Sequence, residues 1–122
     1  TNTVFAVIDG PQNTNDAVSA LMQTPIDSEN IEIICNDDAE QRIRELKEAR
    51  PVATNIANFL AEAGEEDEEW DTYNHWLNEG RYLIRVPVEN GEQAARVADV
   101  LRQHGGHYVN HFAPFTVTRL AP

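Results

Sequence analysis

The sequence is poor in cysteine, in lysine and in long apolar runs. Among its 122 residues there is one cysteine, Cys35, and one lysine, Lys47. A single cysteine excludes an internal disulfide and is typical of a reducing compartment, so we expect a cytoplasmic protein. No run approaches the roughly 18 to 20 apolar residues of a membrane span, and the opening residues lack the pattern of a signal peptide. We therefore expect no association with a membrane.

Positive charge is also scarce. The chain has 9 Lys+Arg against 21 Asp+Glu, a formal net charge of −12. Binding nucleic acid through its phosphates requires clustered Lys and Arg, so the composition excludes that class of partner. The apolar fraction of 41% is ordinary for a globular protein and too high for a disordered one. The length suits one compact domain over residues 1–122.

Residues 3–35 predict a strand, a helix and a second strand. The β-branched run Val4–Ile8 is apolar at every position, which is typical of a strand covered on both faces. An apolar stripe over 17–22 predicts a short helix, with N-cap candidates among the polar residues 12–16. The second strand is predicted at 31–35. These elements form a β-α-β unit.

Residues 81–119 repeat this plan. A strand is predicted at 82–88, and the spacing of Ala94, Val97, Ala98 and Leu101 predicts a helix. Gly105-Gly106 ends that helix, because glycine adopts the left-handed C-cap conformation without a Cβ clash. A further strand is predicted at 107–112, and a short edge strand at 115–118.

A helical insertion, 38–80, separates the two units. Its apolar stripes predict three helices, near residues 39–46, 52–63 and 70–77. We predict an α+β fold, a ferredoxin-like split β-α-β sheet with this insertion between its units. Phe5 and Val7 make the second sheet face apolar, so either the insertion or a partner's sheet must cover it.

The segment 73–86 carries a family resemblance. It contains Tyr73, Leu77 and Gly80 in a Tyr-x-x-x-Leu-x-x-Gly pattern before a strand, and a His-Gly-Gly segment follows at 104–106. In these features the chain resembles the bacterial general stress protein (heat-induced stress protein) domain family. The resemblance covers most of the chain but not the acidic run 65–69 or the tail 113–122. It implies a small cytoplasmic α+β domain linked to stress responses, with no established catalytic residues.

Acidic residues follow both of the first two strands. Asp9 and the pair Asp37-Asp38 could hold Mg²⁺ for phosphoryl transfer if they met at one end of the sheet. We expect the first two strands to run antiparallel, which would place these acids at opposite ends. Turn and N-cap roles then explain both clusters better.

The histidines and the possible nucleophiles do not predict a reaction. His107 and His111 would project from the same face of a strand about 13 Å apart, which is too far for both to bind one metal ion. With His104 they do not form any of the residue spacings typical of zinc sites. Acidic neighbours and burial would keep Cys35 inert. Neither Ser19 nor Ser28 has the setting of a nucleophile. We predict no catalytic residue, no metal and no cofactor.

Three aromatic residues of the insertion are candidates for a binding surface. Trp70, Tyr73 and Trp76 lie near one face of a predicted helix and could bind a ligand or a partner. The alternative, which we favour, is that they pack this helix onto the sheet. The acidic run 65–69 is typical of a solvated loop and helix start.

These observations favour a non-enzymatic stress-response-type domain that binds a protein partner or a small regulatory ligand. One alternative is a small metal-dependent enzyme or ligand-binding domain that uses Asp9, Asp37 and a histidine. Another is a self-associating structural module, a homodimer in which the bare sheet face pairs with its copy.

Overall fold

A computed structural model describes residues 2–26, 28–46 and 68–122. Side chains are described for residues 2–26, 29–46 and 71–122. The described part is α+β, as predicted, with five strands and four α-helices. The predicted helix at 52–63 and the acidic residues 65–67 lie outside it. The strands are β1 (Thr3–Ile8), β2 (Glu32–Ile34), β3 (Tyr82–Pro87), β4 (Gly106–Ala113) and β5 (Thr116–Ala121). The helices are α1 (Pro11–Met22), α2 (Asp37–Arg44), α3 (Glu68–Asn78) and α4 (Gly91–Gln103), with a 3-10 turn at Ser28–Asn30.

The five strands form one antiparallel sheet in the order β2-β3-β1-β4-β5. Because β3 lies between β1 and β2 and is antiparallel to both, β1 and β2 run parallel to each other. The prediction that the first two strands run antiparallel is therefore wrong. A helical crossover such as α1 returns the chain in the same direction, so Asp9 and Asp37 lie at the same end of the sheet.

One face of the sheet packs against α1 and α4. The alternate residues Val4, Ala6 and Ile8 of β1 are buried here. They meet the apolar stripes of the two helices, which include Leu21 and Leu101. Burying a side chain of this size contributes about 1.5–3 kcal/mol. The predicted stripe of α4 is thus confirmed, and that of α1 is confirmed except at Met22, which is exposed.

The other face of the sheet is covered at least in part by α3. Phe5 and Val7 of β1 form a second apolar cluster with Tyr73 and Leu77 of the helix. The insertion therefore supplies a cover for this face, which was one of the two predicted solutions. Trp76 packs at the margin of the cluster.

Helix α1 begins earlier than predicted. Its N-cap is Gly10, with φ 83°, and Pro11 is the first helical residue. The prediction of a side-chain N-cap within 12–16 is wrong, because proline, whose φ is fixed near its helical value and which has no N–H, is favoured at the first helical position. The predicted cap of α4 is confirmed: Asn90 accepts a hydrogen bond from the Gln93 amide at 2.9 Å.

A β-bulge changes the faces of β4. The pairing of β1 with β4 shifts by one residue between Phe5 and Val7, next to Tyr108, which has φ 49°. As a result His107 lies opposite Val7 while His111 lies opposite Val4, so the two histidines project from opposite faces. The prediction that they share a face is wrong, because one extra residue reverses the alternation of a strand.

Strand β5 forms an edge of the sheet and is longer than predicted. It pairs only with β4 among the described strands, through a hairpin whose turn is Pro114-Phe115. Phe115 has φ 73°. No helix in the described ranges is long and apolar enough to cross a membrane.

Candidate functional site

Four side chains meet at the end of the sheet where β1 finishes and β3 and β4 begin. The pairing of Ile8 with Tyr82 and with Gly106 brings Asp9 beside Arg81 and His107. The end of α3 adds Trp76 to this group. We call Asp9, Trp76, Arg81 and His107 the rim.

The Asp9 carboxylate contacts both Arg81 and His107. Its Oδ1 lies 3.2 Å from Nε2 of His107 and 3.4 Å from Nε of Arg81. The Asp9 side chain is 58% exposed and the other two are each 32% exposed. Ion pairs in such a solvated position contribute about 0–1 kcal/mol each, so they orient the side chains more than they stabilise the fold.

Trp76 lies between Arg81 and His107. The Arg81 guanidinium stacks over the indole at 4.1 Å, and the His107 ring meets it edge-on, with centroids 5.4 Å apart. The backbone produces this contact, since the amide of Arg81 donates to the Trp76 carbonyl and that of Gly80 to Leu77. This is the Schellman helix end, whose geometry brings those two positions together.

Tyr73 belongs to the core rather than to an accessible surface. It is fully buried, and its hydroxyl donates to the Tyr108 carbonyl at 3.2 Å while it accepts from Nδ2 of Asn110 at 2.8 Å. Arg119 donates to Oδ1 of Asn110 at 2.6 Å. Tyr73 therefore anchors α3 to β4 and, through Asn110, to β5.

The three aromatic candidates thus occupy different places. Tyr73 lies in the core and Trp76 at the rim, while Trp70 lies in the first turn of α3, with its side chain outside the described part. Tyr73 and Trp76, the two whose side chains the structure describes, therefore do not form one accessible groove.

The residues of the metal alternative are only partly brought together. Asp9 contacts His107, whereas Asp37 lies in the first turn of α2, where negative charge is favoured. Asn36 caps that helix by accepting from the Ala39 amide at 2.8 Å and also donates to the Leu77 carbonyl of α3. Within the described ranges no three His, Cys, Asp or Glu side chains are placed to hold a metal ion.

Cys35 is buried at the end of β2. Burial, followed by the charge of Glu40, raises the pKa of its thiol to about 12. The reactive thiolate is therefore suppressed, and burial contributes more to this than the predicted acidic neighbours, of which Asp37 raises the pKa of the thiol less than Glu40 does.

The end of the β4–β5 hairpin is a surface that the sequence patterns did not single out. Phe115 is fully exposed and Val117 is 42% exposed, while the partly buried Phe112 lies opposite Val117 across the hairpin. We call Phe112, Phe115 and Val117 the hairpin end. Its available sequence signal was Pro114-Phe115, a turn with a large apolar residue where a small or polar one is usual.

The chain was compared with models of known protein families, with functionally curated proteins and with solved structures. None of the three comparisons gave a match. Function is therefore inferred from the geometry of the rim and the hairpin end.

Proposed function

We propose that this chain is a non-enzymatic binding domain of the general stress protein type. Its sheet would belong to the ferredoxin-like split β-α-β class, with β5 added beside β4. Two features support this proposal: the strand order β2-β3-β1-β4 interleaves two β-α-β units, and the segment 73–86 carries the resemblance described above.

The proposed activity is binding of a protein partner through the hairpin end. The observation that carries it is Phe115, a large aromatic residue that is fully exposed and also held at φ 73°. Proline followed by a residue of positive φ is the type II turn pattern, which favours glycine at the second position. A non-glycine residue there costs about 1–2 kcal/mol. The turn gains nothing from this side chain, and strain of this kind is typical of functional contacts.

Site-specific photo-cross-linking in the producing cells tests the proposal. p-Benzoyl-phenylalanine is placed at position 115, where it keeps an aromatic side chain, and at the control position 96, an exposed site on α4. We expect a discrete adduct from position 115 and none from position 96. Absence of an adduct from 115, or the same products from both positions, would contradict the proposal.

The rim supports a second candidate, binding of a small regulatory ligand. Nε1 of Trp76 is buried and has no hydrogen-bond partner among the described groups. A buried indole N–H is normally paired, and a ligand acceptor would supply the missing partner. Native mass spectrometry of untreated protein tests this: a retained small molecule that is lost in Trp76→Phe but kept in the control Tyr82→Phe supports it. The mass of the chain alone rejects it.

A further inference from the structure

We propose that the partner at the hairpin end is a second copy of this chain, joined edge to edge along β5 into one continuous sheet. This inference rests on the proposed function and names the partner of the same surface. It is carried by three observations: the exposed backbone edge of β5, its self-complementary register and its charge.

The outer edge of β5 is exposed at residues 116–119, beside the hairpin end. β5 is the last strand in the sheet order of the described residues. Natural edges are protected by charged side chains (lysine above all), proline, a bulge or a covering segment. Residues 116–119 contain no lysine or proline, and their pairing with β4 is regular. The charged side chain of Arg119 folds back over the Tyr108 ring, 4.0 Å from its centroid.

Beyond residue 119 the outer edge of β5 is covered by a side chain. Arg102 of α4 donates a hydrogen bond to the Leu120 carbonyl at 3.2 Å. The pairing with β4 also shifts at this point, between Val109 and Asn110. The accessible part of the edge is therefore the segment beside the hairpin end, which concentrates any strand pairing there.

The register of the hairpin makes this segment complementary to itself. The two-residue turn is closed by the pair Ala113 and Thr116. Because hydrogen-bonded and non-hydrogen-bonded pairs alternate along an antiparallel ladder, the backbone N–H and C=O of Thr116 and Thr118 point toward β4, and those of Val117 point toward the outer edge. An antiparallel pair about a two-fold axis at Thr118 places Thr118 opposite Thr118 of the copy. Threonine pairs of this kind are favourable, and no like charges face each other. Phe115 then lies beside the far end of the copy's β5.

The charge distribution favours a second copy at this edge. All 21 acidic residues lie within 1–99, which also contain 7 Lys+Arg, whereas 100–122 contain two arginines and no acid. Two chains of net charge −12 repel each other over most of their surfaces. At β5 they can approach without facing carboxylates, and each copy brings one arginine, Arg119, which the two-fold axis places opposite Val117 of the other copy.

The test is the oligomeric state of the purified chain. A single strand pair buries less than the roughly 1,200 Å² of a stable interface, so the association should depend on concentration. Sedimentation velocity from about 1 μM to about 1 mM covers weak affinities. We expect the mass to rise from the 13.7 kDa of one chain toward twice that value. A single-chain mass throughout would overturn the inference.

A matched pair of variants locates the interface. Val117→Lys places a charge on the edge, and Met22→Lys makes the same change on α1 at a side chain of similar exposure, 39% against 42%. We expect Val117→Lys to remain a single chain and Met22→Lys to dimerise as the wild type does. If Val117→Lys does not fold, Phe115→Ser, which lies outside the strand, replaces it. Dimerisation of the edge variant equal to that of Met22→Lys contradicts the inference.

The cross-link at position 115 separates this inference from the proposed function. An adduct of twice the chain mass supports both. An adduct with another protein, with the purified chain remaining single, overturns the second copy and leaves the proposed binding function standing. No adduct at all, with a single-chain mass, overturns both.

Discussion

The thiol of Cys35 is a single side chain whose reactivity the fold controls. Its pKa is raised to about 12, mainly by burial, so at pH 8 almost none of it is the reactive thiolate. We expect the native protein not to react with Ellman's reagent at pH 8 and one thiol to react in denaturant. Rapid reaction of the native protein, at the rate of the unfolded chain, would contradict this.

His111 is a second side chain with a measurable effect, here on acid stability. Burial lowers the pKa of its imidazole from 6.5, and its Nε2 lies 2.5 Å from Oδ1 of Asn2. Below about pH 6.5 the unfolded chain binds more protons at this position than the folded protein does, so stability is lost as the pH falls. We expect the stability of His111→Gln to fall less steeply than that of the wild type between pH 7 and pH 5.

The control for this histidine is the exposed His75. Thermal unfolding of both variants, His111→Gln and His75→Gln, at a series of pH values measures the effect of replacing a histidine at an exposed position, and the change in slope in His111→Gln should exceed it. An unchanged slope in His111→Gln would mean that other groups produce the acid sensitivity.

Tyr73 and Asn110 form the buried polar contact that fixes α3 to the sheet. Tyr73→Phe removes the hydroxyl to which Asn110 donates, and Asn110 is fully buried. An unsatisfied buried polar group costs about 1–3 kcal/mol, so we expect the free energy of unfolding to fall by that amount. Urea unfolding measures it. In a double-mutant cycle with Asn110→Leu the two losses should not add, and full additivity would exclude coupling through this bond.

The end of α3 depends on glycine. Gly80 has φ 85°, and a Cβ there would lie 3.4 Å from Nη2 of Arg42. We expect Gly80→Ala to lower the free energy of unfolding by about 1 kcal/mol or more, because alanine is strained at positive φ. The matched control is Gly91→Ala in the first turn of α4, where a Cβ meets nothing within 4 Å. Its stability should be unchanged or slightly higher, and equal losses in both variants would contradict the argument.

Most helices and strands were predictable, because the spacing of apolar residues and the helix-capping residues can be recognised in the sequence. The stripe through Ala94 and Leu101 and the cap at Asn90 predicted α4, and the structure confirms both. The start of α1 was not predicted, since several polar residues after Pro11 competed as caps.

The relative placement of elements was less predictable. Tyr108 adopts φ 49° although nothing in its residue type signals a bulge, and that one residue separates the faces of His107 and His111. The rim was missed because it depends on which strands pair: Asp9 meets Arg81 and His107 because Ile8 lies opposite both Tyr82 and Gly106. Pairing between distant segments decides this, and local patterns do not record it.

The molecule as a whole carries a net charge of −12, which opposes its own compact state. Salt shortens the Debye length from about 30 Å at 0.01 M to about 3 Å at 1 M. Salt also weakens the surface ion pairs, but each of these contributes only about 0–1 kcal/mol to stability. We expect Tm to rise by a few degrees between these limits in NaCl, and equally in KCl, as measured by circular dichroism. A fall in Tm would show that local ion pairs outweigh the repulsion.

The position of β1 also affects how the chain is made. This strand lies at the centre of the sheet, yet Val4 pairs with Val86 on one side and with His111 on the other. At roughly 5–20 residues per second of synthesis, the ribosome needs on the order of 4–16 s to make the intervening 80 or so residues. For that time the apolar run Val4–Ile8 has neither of its neighbouring strands, so this topology exposes an aggregation-prone segment during synthesis until β3 and then β4 have been made.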